Sequence, residues 1–430
     1  MYASGKTSLP ITKKEGALLP AMNPPTHFHQ LTQQPAIIVR KYGGSSVSAA
    51  PQMMAIAKEL AELHRQGHPL VVVISAMGKT TDQLVQLSRE ITQNPALREL
   101  DMLLTAGERI SMALLAMALI AQKCPAMSFT GSQAGILTTS AHSDARIHDL
   151  RPTRVEQALR DGKVVVLAGF QGVCPESKEV TTLGRGGSDT TAVALAGYFR
   201  APRCEILKDV DGIYSADPNI VDSPIRLNHL PYDVVLAMTF WGAKVLHYRS
   251  VALAKHLNVP LYVGLAHGER SGTLIQGESN MYEQNGVTAI TSHREVLVLR
   301  ISASELSDAQ RIFDEFLQTH ELPYPLVLDY QRVESAFVFY ISAASENLRA
   351  LRDCVPQQTQ VICEPTVYST ISLVGGDLSD PQLPKQVIAT LHSQQIAIQK
   401  MRVDSGSLTL FVLPSVREDC IRTLHQEFIK

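Results

Sequence analysis

Along the longer, first part of this chain, short continuous apolar runs alternate with stretches of helical spacing. Ala36-Ile37-Ile38-Val39-Arg40 stops at Gly43-Gly44, which reads as a buried strand entering a tight turn. Residues 51–66 carry apolar side chains at helical spacing and end near Gly67. Leu70 to Ile74 is a continuous run rich in β-branched residues, the mark of a strand covered on both faces. The spacing further predicts helices near 82–93 and 101–122, strands near 126–130, 163–168 and 204–207, and helices near 231–239 and 247–257, with the region closing at about Thr273. Strands alternating with helices predict an α/β domain with a largely parallel sheet, whose ligands sit beyond the carboxyl ends of the strands.

After a polar stretch the elements shorten. Strand 295–301, helix 306–319, strands 325–330 and 334–341 and helix 346–353 form one unit; strand 367–374, helix 382–393, strands 396–402 and 407–413 and helix 416–428 form another. The same order twice suggests a duplicated small α+β module. The expected organisation is an N-terminal arm (1–35), an α/β domain (36–276), a linker (277–286) and two modules (287–360 and 361–430) that are free to exchange strands. The arm contains Pro10, Pro20, Pro24, Pro25 and Pro35, has no continuous apolar segment and little arginine, so it reads as loosely attached or disordered rather than as a targeting peptide.

Composition narrows the function classes. With 430 residues, 45% hydrophobic and 19% charged, the chain has the make-up of an ordinary globular protein of several domains. A net charge of −2, with scattered lysines and arginines, provides no basic stripe for nucleic acid. The longest apolar run, Met112 to Ala121, is too short to span a bilayer. Six cysteines lie far apart without a CxxC pair or zinc-ligand spacing, which suggests reduced thiols in a cytoplasmic protein and no metal site of its own.

The richest chemistry lies in Thr181-Thr182-Leu183-Gly184-Arg185-Gly186-Gly187-Ser188-Asp189-Thr190-Thr191, which runs into apolar Ala192 to Ala196. A glycine-rich loop opening a helix offers free N–H groups and a positive dipole end to an anion, and Arg185 adds a two-pronged cation. After the first strand, Lys41-Tyr42-Gly43-Gly44-Ser45-Ser46 combines a point charge with glycines that let backbone amides approach phosphate oxygens; a plain strand-to-helix turn with a solvent lysine reads equally well. Gly78-Lys79-Thr80 ends like a phosphate loop, but Val73 stands where the first glycine is needed. Gly184-Arg185-Gly186 starts like a dinucleotide fingerprint, but Asp189 occupies the last glycine position. Gly107-Glu108-Arg109 is expected at a helix start, where a carboxylate among apolar neighbours must be paired or bind something. Asp209-Val210-Asp211-Gly212-Ile213-Tyr214 with Asp217-Pro218 forms an acidic turn, and Gly242-Ala243-Lys244 ends a helix containing Trp241.

Taken in chain order, Lys41-x-Gly-Gly-Ser-Ser, Ser75-Ala76 with Thr81-Asp82, Gly107-Glu108, the 184–191 loop, Asp209 to Pro218 and Gly242-Ala243-Lys244-Val245-Leu246-His247 resemble the signature series of aspartokinases. The resemblance covers roughly residues 36–275, and the paired C-terminal units look like the tandem ACT domains of those kinases. It implies an amino acid kinase-like α/β sandwich followed by two βαββαβ modules. It also implies transfer of the ATP γ-phosphoryl group to the side-chain carboxylate of L-aspartate, giving 4-phospho-L-aspartate for amino-acid biosynthesis, with Mg2+ arriving on the ATP phosphates. By resemblance, Lys41 and Asp189 are catalytic; Ser75, Thr81, Glu108, Arg185 and Ser188 hold the amino acid; Gly43, Gly44, Ser45, Lys208, Asp209, Tyr214 and Lys244 border the nucleotide.

Three positions depart from the family pattern. Asn219 stands where an arginine is usual, Lys208 where a small hydroxyl residue is usual, and Tyr248 where proline is usual. The first module lacks glycine at its strand-to-helix turn, Ser302 to Leu306, whereas the second has Gly375-Gly376-Asp377; inhibition by lysine or threonine is therefore expected to be weak or to act through the second unit. ACT modules pair edge to edge, which implies a homodimer or larger assembly. Two other readings stay open: a kinase of the same fold acting on glutamate or N-acetylglutamate, and a catalytically silent amino-acid sensor.

Overall fold

The computed structural model describes residues 35–429 apart from 93, 269, 270, 278–285, 321, 323 and 356–359. The expected arm, except its last residue, and most of the expected linker lie outside the described residues.

An eight-stranded sheet organises the first part of the chain. From one edge its order is His229–Pro231, Gly272–Gln276, Leu261–Leu265, Cys204–Lys208, Ile38–Tyr42, Leu70–Ile74, Val164–Ala168 and Ala126–Phe129. Every pairing is parallel except that between Leu261–Leu265 and Gly272–Gln276. Leu70, Val72 and Ile74 face one core, with Met53, Ile56 and Leu60 of helix Ala50–Arg65 and Leu115 and Leu119 of helix Leu97–Ala121. Val71 and Val73 face the other, with Ala192 to Ala196 of helix Gly187–Tyr198 and Val251 of helix Tyr248–Leu257. The alternation of side chains along a strand therefore feeds two cores from one apolar run. Helix Leu97–Ala121 is long and apolar enough by composition to cross a membrane. In this fold its buried side covers the sheet instead.

Four short strands, Ile147–Leu150, Ile136–Thr138, Gln171–Val173 and Val180–Thr182, form a separate small sheet that delivers the 184–191 loop. Apolar periodicity did not predict these strands, nor helix Thr153–Arg160 or strands Leu261–Leu265 and Gly272–Gln276. Runs of three to five residues carry too few alternations to read.

The C-terminal region forms an antiparallel sheet of seven strands, consistent with ACT-like modules. Its first strand begins at Val287 rather than near 295, and continues to Ser302. Residues 287–296 pair with Tyr368–Gly375, whereas 297–302 pair with Ala336–Ser342. One strand therefore serves both units. Val361–Cys363 in turn pairs back onto Leu299–Ile301. The strand expected at 396–402 lies at Lys400–Asp404, because Gln395 takes a positive φ and Ile396 turns into the core.

Candidate active site

Lys41 lies in the middle of the sheet, in register with Val73 on one side and Ile206 on the other. Both neighbouring strands run parallel, so its strand ends, like theirs, at the face where the chain turns away. There Gly43 N–H donates to Leu207 O (3.1 Å) and Gly78 N–H donates to Gly44 O (2.9 Å). A Cβ on Gly44 would come within 2.6 Å of Ala76 O, so only glycine lets the two loops close on each other.

Asp189 reaches the same place from the other direction. It occupies the first turn of helix Gly187–Tyr198, behind Gly186 in the left-handed region (φ +70°). A Cβ on Gly186 would lie 2.2 Å from His247 Cβ, which explains the glycine sterically as well as conformationally. The alanines at 192, 194 and 196 let this buried helix sink against the sheet and bring its N-terminus to Lys41.

The two charges form a buried pair, Lys41 Nζ to Asp189 Oδ1 at 2.7 Å, and Lys208 Nζ approaches Asp189 Oδ2 at 3.7 Å. Lys208 also donates to Val245 O. Burial alone would raise the Asp189 carboxyl; the ammoniums of Lys41 and Lys208 outweigh that and hold it below the ordinary aspartate value. Burial pushes the Lys208 ammonium down, against the pull of Asp189. The cluster carries two positive charges and one negative, leaving one unit of positive charge where anions would be drawn in.

Two cavities open on this cluster. One, of about 840 Å³, is lined by Ser75, Thr81, Arg89, Arg185, Ser188 and Asp189 among others. The second, of about 1300 Å³, is lined by Gly43, Gly44, Ser45, Asp209, Tyr214 and Lys244 among others. Lys41 and Lys208 line both. Lys41 and Arg185 thus share one crevice. Asn219 lies in the larger cavity, its backbone and side-chain amides both donating to Asp217 Oδ1 (2.9 Å each). Tyr248 is half exposed, with its ring 6.5 Å from that of Phe240.

Glu108 is placed differently from expectation. Its helix begins at Leu97, so Gly107-Glu108-Arg109 lies in mid-helix, not at a helix start. Gly107 is needed there because a Cβ would meet Ala76 Cβ at 2.8 Å. Glu108 lines neither cavity. Its Oε1 accepts the Ala76 N–H (3.2 Å), while Oε2 is buried with no hydrogen-bond partner among the described residues. Burial raises its carboxyl to about 7, although the Ala76 amide and Lys41 oppose the shift. Leu100 and Leu104 of the same helix line the smaller cavity, so Glu108, one further turn on, continues that line inward.

Several supporting residues have no sequence signal. Asp101 is fully buried and accepts from Thr182 Oγ1 (2.5 Å) and Ser143 N–H (3.1 Å), with His142 Nδ1 at 2.7 Å, tying three segments of the smaller cavity together. Arg249 donates to Asp144 Oδ1 (2.7 Å), Leu183 O (2.6 Å) and Ala145 O (2.8 Å), pinning the 184–191 loop from below. Phe170, at φ +70°, also lines that cavity. The larger cavity is closed by the C-terminal region: Ser292, Arg294, Arg417 and Ile421 lie on its wall. Ser215 Oγ and His425 Nε2 are 2.9 Å apart, and Ile290 N–H donates to Ser215 O (2.7 Å), joining this wall to the 209–220 loop.

The Amino acid kinase family profile matches residues 36–264. An aspartokinase of Mycolicibacterium smegmatis is 50% identical over 404 residues, covering 91% of this chain and 96% of the relative. An aspartokinase of Corynebacterium glutamicum is 39% identical over 406 residues with the same coverage. The crystal structure of E. coli aspartokinase III in complex with aspartate and ADP shares the fold at a TM-score of 0.75 and 23% identity, covering 92% of this chain and all of that one. With half of its residues matched by the profile and close relatives aligned along nearly its whole length, this chain belongs to the aspartokinases of the amino acid kinase family.

Proposed function

We propose that this protein is an ATP-dependent aspartate kinase, forming 4-phospho-L-aspartate and ADP. The observation that carries this reading is the meeting of two cavities at one buried Lys41–Asp189–Lys208 cluster. Two anionic reactants must be brought together for a carboxylate to attack a phosphoryl group, so alignment and charge screening dominate the chemistry.

In this reading L-aspartate occupies the smaller cavity. Arg185 grips a carboxylate, Ser75, Thr81 and Ser188 supply hydroxyls, and Glu108 receives the α-ammonium at the inner end. ATP occupies the larger cavity, with Gly43, Gly44 and Ser45 against its phosphates and Asp209, Tyr214 and Lys244 at its border. A side-chain oxygen of aspartate attacks the γ-phosphorus in line, the bond to the β–γ bridging oxygen breaks, and ADP departs. Lys41 screens the transferring group while Asp189 holds Lys41 in place. The oxygen-rich lining of the larger cavity (Asp209, Asp211, Asp217) suits Mg2+, which when bound with the nucleotide neutralises phosphate charge.

The product is a mixed anhydride suited to the first step of lysine, threonine and methionine formation in the cytoplasm. We place any lysine or threonine effector at the second C-terminal module, near exposed Gly376, and expect homo-oligomers through the C-terminal sheet. The deciding experiment is aspartate-dependent ADP release with hydroxamate trapping of the acyl phosphate. ADP release with glutamate or N-acetylglutamate but not aspartate would overturn the substrate, and no release with any acidic amino acid would overturn the enzyme.

A further inference from the structure

The larger cavity has two walls from distant parts of the chain. On one side the loop Asp209 to Ile220 contributes Asp209, Asp211 and Asp217 and contains no lysine or arginine. A polyanion lying against this loop meets like charge. Asp211 is partly compensated by Arg226 Nη1 at 3.2 Å, but Asp217 is bound only by the neutral amides of Asn219 among the hydrogen bonds and ion pairs of the described residues.

The opposite wall contains Arg417, the first residue of helix Arg417–Phe428, at that helix's positive end. Its Nε and Nη2 both donate to one neutral acceptor, Ser292 Oγ, at 3.2 and 3.0 Å. The one carboxylate oxygen within 4 Å among the described residues is Glu418 Oε1, 3.8 Å from Nη1 and on an exposed side chain. Arg417 is itself mostly buried, with 13% of its side chain exposed. A buried guanidinium is thus held in a fixed orientation without a hydrogen-bonded counter-ion. Burial pulls its pKa below the ordinary arginine value and the Arg294 charge adds to that, although the carboxylates of Glu418 and, from the acidic loop, Asp217 oppose the shift without hydrogen-bonding it.

We propose that Arg417 completes the nucleotide site from the C-terminal unit, its guanidinium binding a phosphate oxygen of ATP or ADP across the cavity from the acidic loop. This rests on the assignment of the larger cavity to the nucleotide. The planar guanidinium has five N–H donors, so three remain, in a fixed orientation, after two are spent on Ser292. Arg417 is a binding residue here; the transfer step remains with the Lys41 cluster.

The test is calorimetry on the full chain with adenosine, ADP and ATP, each with Mg2+ and without aspartate. Arg417→Gln is expected to weaken ATP and ADP roughly tenfold or more and to leave adenosine unchanged within about twofold. Asn219 lines the same cavity, so adding Asn219→Arg to Arg417→Gln is expected to recover much of the ATP affinity. Equal weakening of adenosine and ATP would reduce Arg417 to a structural pin on Ser292, and unchanged ATP affinity would equally overturn the proposal. A measurement on the unaltered protein guards against misfolding of the variant: phenylglyoxal labelling of Arg417, read by mass spectrometry, is expected to be blocked by ATP and not by adenosine. Labelling that ATP leaves unchanged would count against it. Binding is measured without aspartate, so a chain that binds ATP through Arg417 yet phosphorylates another acceptor keeps this inference and loses only the substrate.

Discussion

Lys41 Nζ and Asp189 Oδ1, 148 positions apart in the chain, lie 2.7 Å from each other with both side chains buried. Neither charge could be buried without the other, and removing one leaves an uncompensated ion. Lys41→Met is expected to lower kcat by roughly a hundredfold or more, since a preorganised cation at the transferring group is lost. Asp189→Asn should also reduce kcat while leaving the KM for aspartate less affected. Steady-state kinetics over both substrates checks this; Lys41→Met with near-native kcat would remove Lys41 from the transfer step.

Glu108 makes the unliganded protein sensitive to pH. Its carboxyl titrates at about 7 in the fold against 4.5 when unperturbed. Between those values the folded state holds a proton that the unfolded state has released, so this group's contribution to stability falls as pH rises from 4.5 to 7 and stays low above. The cost reaches about 3 kcal/mol at pH 8. Glu108→Gln should therefore raise the unfolding midpoint at pH 8 and change it little at pH 4.5. Thermal unfolding at both values tests the sign.

If Glu108 receives an ammonium, aspartate binding should pull its pKa down and release a proton near neutral pH. Calorimetry of aspartate binding in buffers of different ionisation enthalpy would read that release. It should vanish in Glu108→Gln.

Gly186→Ala places a Cβ at a left-handed position and 2.2 Å from His247 Cβ. Backbone strain and overpacking together are expected to cost about 3 kcal/mol. Urea unfolding would show this as a lower midpoint with an unchanged slope.

Arg249 touches no expected ligand but holds Asp144 and the carbonyls of Leu183 and Ala145. Arg249→Lys cannot span these acceptors with a single ammonium. The KM for aspartate should rise roughly tenfold, with the KM for ATP nearly unchanged. An equal rise in both would mean that the substitution disturbs the domain rather than the loop.

The main strands were legible because Leu70 to Ile74 and Val164 to Ala168 are apolar without interruption, and burial on both faces of a parallel sheet requires that. Gly44, Gly184 and Gly186 were legible as turn glycines because a Cβ there would strike Ala76 O, Ser143 O or His247 Cβ, and the last two positions also take a positive φ. The sequence by itself therefore determined the α/β class, the duplicated C-terminal order and the loops that build the crevice. Only the tertiary structure decided that Glu108 sits in mid-helix behind the cavity wall, that Asp101 and Arg249 tie Thr182 and Leu183, at the entry to the 184–191 loop, to the 142–145 segment, and that Arg417 and Ser292 close the larger cavity. Those placements depend on how separate elements pack. A buried carboxylate or a helix-end arginine has the same local sequence whether it meets a ligand, a distant loop or water.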